Sequence, residues 1–391
     1  MLAKTSILPR VLVVFLVACE PPDPQIEERV HEVEGRCEEG AGEVSLTVEP
    51  HLHAIGPLGN AITVAEGALW IVESGANTVS RYEPGRGYEA GFVDVGNDRN
   101  PYNLFVDVPG RQIFVANYLS NSVAVADLDT GGVVHEILHG SLKNPSDVVA
   151  TADHIFVANV HYISLNEGYG PGSISVFARE DFEFRGEVET TFQNPQFLEV
   201  IELAGTPHLV ISSTGSLGFG SEGVEVTSEG GLEIWTLTAN PLDGEREAYA
   251  LNQKENPRVG APGRLAITPD GRHAYAASAI APALFKFDLD ERRWIFDAGT
   301  PLTLYSTDRD ATHALAIDEH GLLYIAAFNE DALFILDTGC DELLAGPIDL
   351  GRRGDMLEGP QSIAILSVDG GQAAYFIMSI ANALGRVGIN Y

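Results

Sequence analysis

The sequence predicts an all-β fold, a seven-bladed β-propeller closed by an N-terminal strand. Three observations carry this reading. A strand-rich stretch recurs seven times: LWIVES (69–74), QIFVANY (112–118), HIFVANV (154–160), HLVISST (208–214), HAYAASA (273–279), LLYIAAF (322–328) and AAYFIMS (373–379). Each copy follows a shorter apolar strand introduced by Pro57, Pro101, Pro145, Pro195, Pro262 or Pro360, with Thr312 in the remaining slot, at steps of 44, 44, 50, 67, 50 and 48 residues. A period of about 40–50 residues built from short strands and turns is that of a four-stranded blade. The last copy supplies only three strands before Tyr391, and EVSLTVEPH (43–51) alternates as the missing outer strand should. Pairing it with GRVGIN (385–390) closes the ring and leaves no open edge between first and last blades.

The elements follow in order. Lys4 and Arg10 flank the start of VLVVFLVA (11–18), an apolar run too short to span a bilayer. It ends in LVAC, which resembles the lipobox of bacterial lipoproteins. That resemblance implies a signal peptide over 1–18, lipidation at Cys19, and a location in the bacterial cell envelope, periplasmic or cell-surface, with the membrane reached through the lipid anchor only. Residues 19–42, rich in proline and acid, read as an extended tether, and 43–391 as the propeller. Third strands such as NTVSRYEP (77–84), NSVAVADLD (121–129) and ALFKFDLD (283–290) alternate, and the 41 glycines punctuate the chain at hairpin intervals. A net charge of −33 repels phosphates and anionic headgroups, so nucleic acid is excluded as a partner.

The stretch NPYNLFVDVPGRQIFVANYLSNSVAVADLDTGGVV (100–134) resembles the YVTN-type propeller repeat of surface-layer and periplasmic proteins. The namesake tetrapeptide stands here as Phe114-Val115-Ala116-Asn117 and Phe156-Val157-Ala158-Asn159, and Asn77-Thr78-Val79 and Asn121-Ser122-Val123 occupy the turn into the third strand. The resemblance implies architecture more than activity. The turn asparagines are explained by asparagine's tolerance of left-handed backbone and its bonding to its own backbone.

One segment, GGVVHEILHG (131–140), matches the zinc-peptidase signature H-E-x-x-H at His135 and His139. In the blade register it is an outermost strand, and its β-branched valines and bracketing glycines favour that conformation. Two histidines four residues apart on a strand lie about 13 Å from one another, too far to share one metal. The match is expected to be accidental.

If the protein binds something, propeller geometry places the site on the face shared by the outer-to-inner connectors and the loops between second and third strands. Two of those loops are long, 160–172 and 214–230, and a third enlargement spans 238–262. The connectors hold Arg99, Lys143, Arg264 and Arg309, making a mixed-charge rim on an otherwise acidic protein. Asn103, Asp147, Arg264, His313 and Ser362 fall at the starts of inner strands, with Glu199 slightly deeper. The expected function is a binding or interaction scaffold whose partner is a protein or polar envelope ligand, without catalytic residues or cofactor. The alternative is a lactonase-like hydrolase holding calcium through oxygen ligands at the channel mouth, a resemblance in architecture only. No G-x-S-x-G elbow, paired-cysteine metal motif or dinucleotide fingerprint is present. Beyond Cys19, Cys37 and Cys340 are expected to form a disulfide fastening the closing strand to blade six.

Overall fold

The structure, a computed structural model, describes residues 29–33, 44–164, 167–220, 223–304, 312–350, 357–368 and 371–390. Blade one runs from Gly59–Ala65 to Gly87–Asp94. Blade two comprises Pro101–Asp107, Gln112–Asn117, Ser122–Asp127 and Val133–Leu138, and blade three Pro145–Ala150, His154–Asn159, Ser173–Ala178 and Phe184–Glu189. Blades four, five and six start at Pro195–Leu203, Pro262–Ile267 and Thr312–Ile317. Blade seven is built from Pro360–Val368, Gly371–Met378 and Ala383–Asn390. Its next strand comes from the other end of the chain, Val44–Ala54, with Leu46 opposite Ile389 and Val48 opposite Val387. The ring closes as the alternation in 43–51 predicts.

One expectation is corrected. Within the segment read as an extended tether, Arg29–Val33 forms a fifth strand on blade seven, antiparallel to Val44–Val48. Its sequence, RVHEV, carries two β-branched residues among the charges, and the outer edge of the closing strand offers a free row of backbone groups. The rest of the tether and the lipidation residue Cys19 lie outside the described residues. Cys340, in the turn before the outer strand of blade six, is disulfide-bonded, and Cys37, the partner expected for it, also lies outside the described residues.

The core is divided among blade interfaces. Trp70, Val72 and Val93 of blade one meet Leu104 and Val115 of blade two, and the circuit ends with Ile62 and Ile71 against Tyr375 and Ile377 of blade seven. Each fully buried side chain of this size contributes about 1.5–3 kcal/mol. The alternating strands present one set of side chains to the preceding blade and the other to the next.

Every blade carries a β-bulge at the same place. Pairing of the inner strand with the second strand slips after its first residue: after Gly59, Pro101, Pro145, Pro195, Pro262, Thr312 and Pro360. A proline donates no backbone hydrogen bond, and a bulge re-aims the residues that follow. The repeated bulge, begun by proline in five blades and by Gly59 and Thr312 in the other two, therefore re-aims the residues that follow in each inner strand.

His135 lies in the outer strand of blade two, as the register predicts. Its ring stacks on Phe182 with centroids 4.5 Å apart, whereas His139 stacks on Phe184 at 4.0 Å and its Nδ1 accepts from the Ser141 amide at 3.1 Å. The two imidazoles are separately occupied in an aromatic seam between blades two and three.

The turn asparagines do more than expected. Asn77 and Asn121 adopt left-handed φ of 60° and 54°. Their side-chain oxygens, however, accept from the connector to the next blade: Asn77 from Arg99 N and Asn100 N, both at 2.9 Å, and Asn121 from Asn144 N at 2.6 Å. Asn159 likewise accepts from Lys143 N at 3.0 Å. The turn asparagines Asn77 and Asn121 thus fasten their blades to the connector that leads to the next, and Asn159 holds the connector that enters its own blade.

Candidate functional site

The bulges aim Asn103, Asp147, Phe197 and Arg264, the third inner-strand residues of four consecutive blades, at one another. Arg264 reaches three blades round the ring, its Nη2 donating to Asn103 Oδ1 at 2.7 Å while the guanidinium lies 5.5 Å from the Phe197 ring centroid. Asn103 Nδ2 donates to Asp147 Oδ1 at 2.7 Å. Asp147 also accepts from Val148 N at 2.9 Å and, through Oδ2, from Leu198 N at 2.8 Å. Asp147 is only 4% exposed, and burial pushes its carboxyl up to about 7 against the opposing pull of Arg264. Glu199 also titrates above the usual carboxylate range, because of desolvation opposed by Arg264. Its side chain is exposed to solvent, so the rise is smaller in consequence than that of the buried Asp147.

Four of the expected residues therefore form one network, and its chemistry argues against a hard cation. Asp147 spends both oxygens on three N–H donors, and the Asn103 oxygen already accepts from a guanidinium and from Leu104 N. A positive group occupies the place a calcium ion would need. Ser362 accepts from Ile62 N at 3.2 Å and joins blade seven to blade one. His313 is the second residue of the inner strand of blade six, but its side chain and the whole of Arg309 lie outside the described residues.

Two expected rim cations sit elsewhere. Arg99 turns outward, its Nη1 2.6 Å from Glu136 Oε1 on the outer strand of blade two, and takes no part in the channel mouth. The connector reading missed this because the partner lies in the strand that precedes the next connector. Lys143 is exposed and lines a cavity of about 320 Å³ with His161, Glu187 and Glu189 on the outer side of blade three. A larger cavity, about 540 Å³ and bordered by His154, Arg179 and Arg185, opens on the opposite face.

Beside the network runs a chain of amides and a phenol from the second residues of four inner strands. Gln361 Nε2 donates to Asn60 Oδ1 at 3.0 Å, Asn60 Nδ2 to the Tyr102 carbonyl at 2.5 Å, and Tyr102 OH to Gln196 Oε1 at 3.1 Å. Tyr102 begins a cluster that sequence reasoning did not single out. It lies 5.5 Å from Tyr118, and Tyr162 and Tyr169 meet edge-on at 5.5 Å. Burial raises the Tyr118 phenol, and the neighbouring phenols of Tyr169, Tyr102 and Tyr162 add to the rise.

Tyr162 and Tyr169 stand on the expected long loop of blade three, which folds as a small hairpin, Tyr162–Ser164 with Gly168–Tyr169. The blade-four loop likewise contains the hairpin Leu217–Gly220 with Gly223–Val226. The fully buried Gln253 fastens the blade-four loop to the enlarged connector, donating to the Thr214 and Ser228 carbonyls at 3.1 and 2.8 Å. The signal available in the sequence was density: four of the twelve tyrosines fall between 102 and 169, each on the connector–loop face.

These features define a seven-bladed β-propeller with a plugged channel mouth and an aromatic upper face. No protein-family model matches the chain, and no curated protein matches it. Solved structures do. A streptogramin B lyase is similar with a TM-score of 0.62 at 15% identity, covering 89% of this chain and 98% of its own. The hydrazine synthase of Kuenenia stuttgartiensis gives 0.60 at 16% identity (86% and 96% covered), and virginiamycin B lyase from Staphylococcus aureus 0.58 at 13% (92% and 99%). At these identities the likeness establishes the propeller fold.

Proposed function

We propose that the protein is an exported, lipid-anchored propeller of the YVTN type that binds a polar partner at the bacterial cell envelope through the upper face of blades two to four. The carrying observation is the contrast between two neighbouring zones. At the mouth, Arg264, Asn103 and Asp147 are linked in one chain of hydrogen bonds. On the face beside it, Leu119 and Ile163 are 46% and 49% exposed next to the tyrosine cluster, and Val224 stands 41% exposed on the blade-four hairpin. Exposed aliphatics beside tyrosines on loops held by a rigid ring favour recognition over catalysis.

The test is capture from native membranes by the full-length chain, whose recovery in the membrane fraction also checks the anchor at Cys19. Replacing Leu119 and Ile163 together by arginine is expected to lower capture at least about tenfold, while Arg185→Glu on the opposite face leaves it unchanged. Equal capture by all three proteins would remove the upper face from consideration.

The alternative, a lactonase-like metal hydrolase at the channel mouth, has one observation in its favour, the Asp147 carboxyl held at about 7 beside Glu199. Against it stand the three N–H donors that Asp147 already accepts from and the Arg264 guanidinium beside Asn103. Bound metal in the purified protein together with turnover of a lactone would reverse this preference.

A further inference from the structure

We propose that the tyrosine cluster beside the channel mouth is a carbohydrate subsite that takes a neutral glycan chain. The inference rests on the upper face being the binding surface and adds the class of ligand. Tyr102 and Tyr118 are tilted by 31° and Tyr162 and Tyr169 by 72°, so the four partly exposed rings present faces and edges in several directions. Sugar rings have apolar C–H faces and a rim of hydroxyls. A tyrosine meets the first with its ring and the second with its phenol.

The surroundings select against charge. The groups next to the cluster at the mouth are Asn60 and Gln196, neutral amides that both donate and accept. The charges nearest the cluster include Glu167, exposed in the hairpin between Tyr162 and Tyr169, and Asp147, which acts on the Tyr102 phenol, both acidic as on the chain of net charge −33 at large. An anionic ligand would be repelled by the overall field and by Glu167, and a cationic one would find only part of its counter-charge at the cluster, Glu187 and Glu189 standing on the outer side of blade three. A neutral polyhydroxylated ligand is indifferent to that field.

A second, independent observation points to a ligand. The Tyr162 hydroxyl is enclosed and has no hydrogen-bond partner among the described residues. A buried phenol without a partner is costly, and a ligand rich in hydroxyls satisfies it. Leu119 and Ile163 at the rim supply apolar contact for the C–H faces.

Calorimetric titration of the full-length protein with maltohexaose, cellohexaose, chitohexaose and laminarihexaose tests this. Saturable binding of at least one is expected, changed less than about threefold by 0.5 M NaCl. The pair Tyr118→Ala and Tyr162→Ala is expected to weaken it at least about tenfold. Should that pair fail to fold, Ile163→Arg at the exposed rim is expected to weaken binding at least about threefold in an intact propeller. Absence of binding to all four, or equal binding by the substituted proteins, overturns the proposal. If membrane capture still depends on Leu119 and Ile163 while all four glycans fail, the ligand class is wrong and the binding face stands. If capture is also indifferent to those residues, both are wrong.

Discussion

Arg264→Met is expected to destabilise the protein by about 2–4 kcal/mol at pH 8 and by about 1 kcal/mol or less at pH 5. Methionine keeps the stem over Phe197 but removes the cation that opposes desolvation at both Asp147 and Glu199. In the intact protein the Asp147 carboxyl is held at about 7, whereas an unfolded aspartate titrates near about 4. Between those values the folded chain binds more protons than the unfolded one. Stability therefore rises as pH falls from about 7 to about 4 and is lost as pH rises through that window. Glu199, shifted in the same direction, adds to the slope. Without Arg264 both carboxyls move further up, and the penalty appears where they are forced to ionise, above neutrality. Urea unfolding at the two pH values measures the difference. A pH-independent loss would mean that the guanidinium acts through its contacts alone.

Val48→Asp is expected to cost more than about 4 kcal/mol and to abolish cooperative unfolding. Val48 is fully buried opposite Val387, in the apolar cluster that joins blades six and seven and includes Phe376 and Leu333. A carboxylate there has no partner among those side chains. The closing strand is also the element that ties the two ends of the chain, so its loss opens blade seven and exposes the edge of Ala383–Asn390. Circular dichroism melts and size-exclusion profiles report the outcome. A melt within about 2 °C of the unsubstituted protein would show that the ring does not need this strand.

The architecture was largely legible because its signals are local and repeated. A short apolar strand, introduced by proline in six of the seven blades, a second apolar strand, then an alternating one mark each blade, and the structure places a bulge after the first inner-strand residue in all seven. The histidines of the H-E-x-x-H match were separable for the same reason, since strand or helix is a local choice. The site was legible only in position. That Asn103, Asp147 and Arg264 stand at inner-strand starts follows from the repeat, but that Arg264 crosses from blade five to blade two depends on side-chain reach over the channel. Arg99 illustrates the opposite failure. Its place in a connector suggested the mouth, and its salt bridge to Glu136 draws it outward. The tyrosine cluster was missed because its members come from an inner strand, a turn and an inserted hairpin, and only the packing of blade three beside blade two brings these together. The fifth strand at Arg29–Val33 was missed because acid and proline nearby masked a short β-branched segment.

The most direct test of the closed ring is a cysteine pair at Thr47 and Gly388. These residues face one another across the closing strand, and a Cβ placed on Gly388 lies 3.8 Å from that of Thr47, the separation a disulfide requires. In the full-length protein carrying Thr47→Cys and Gly388→Cys, air oxidation is expected to join the two, giving a non-reduced peptide map with the N- and C-terminal fragments linked. The bond should raise stability by about 2–4 kcal/mol. Two free thiols at these positions in a folded, cooperatively melting protein would contradict a propeller whose first and last strands share one blade.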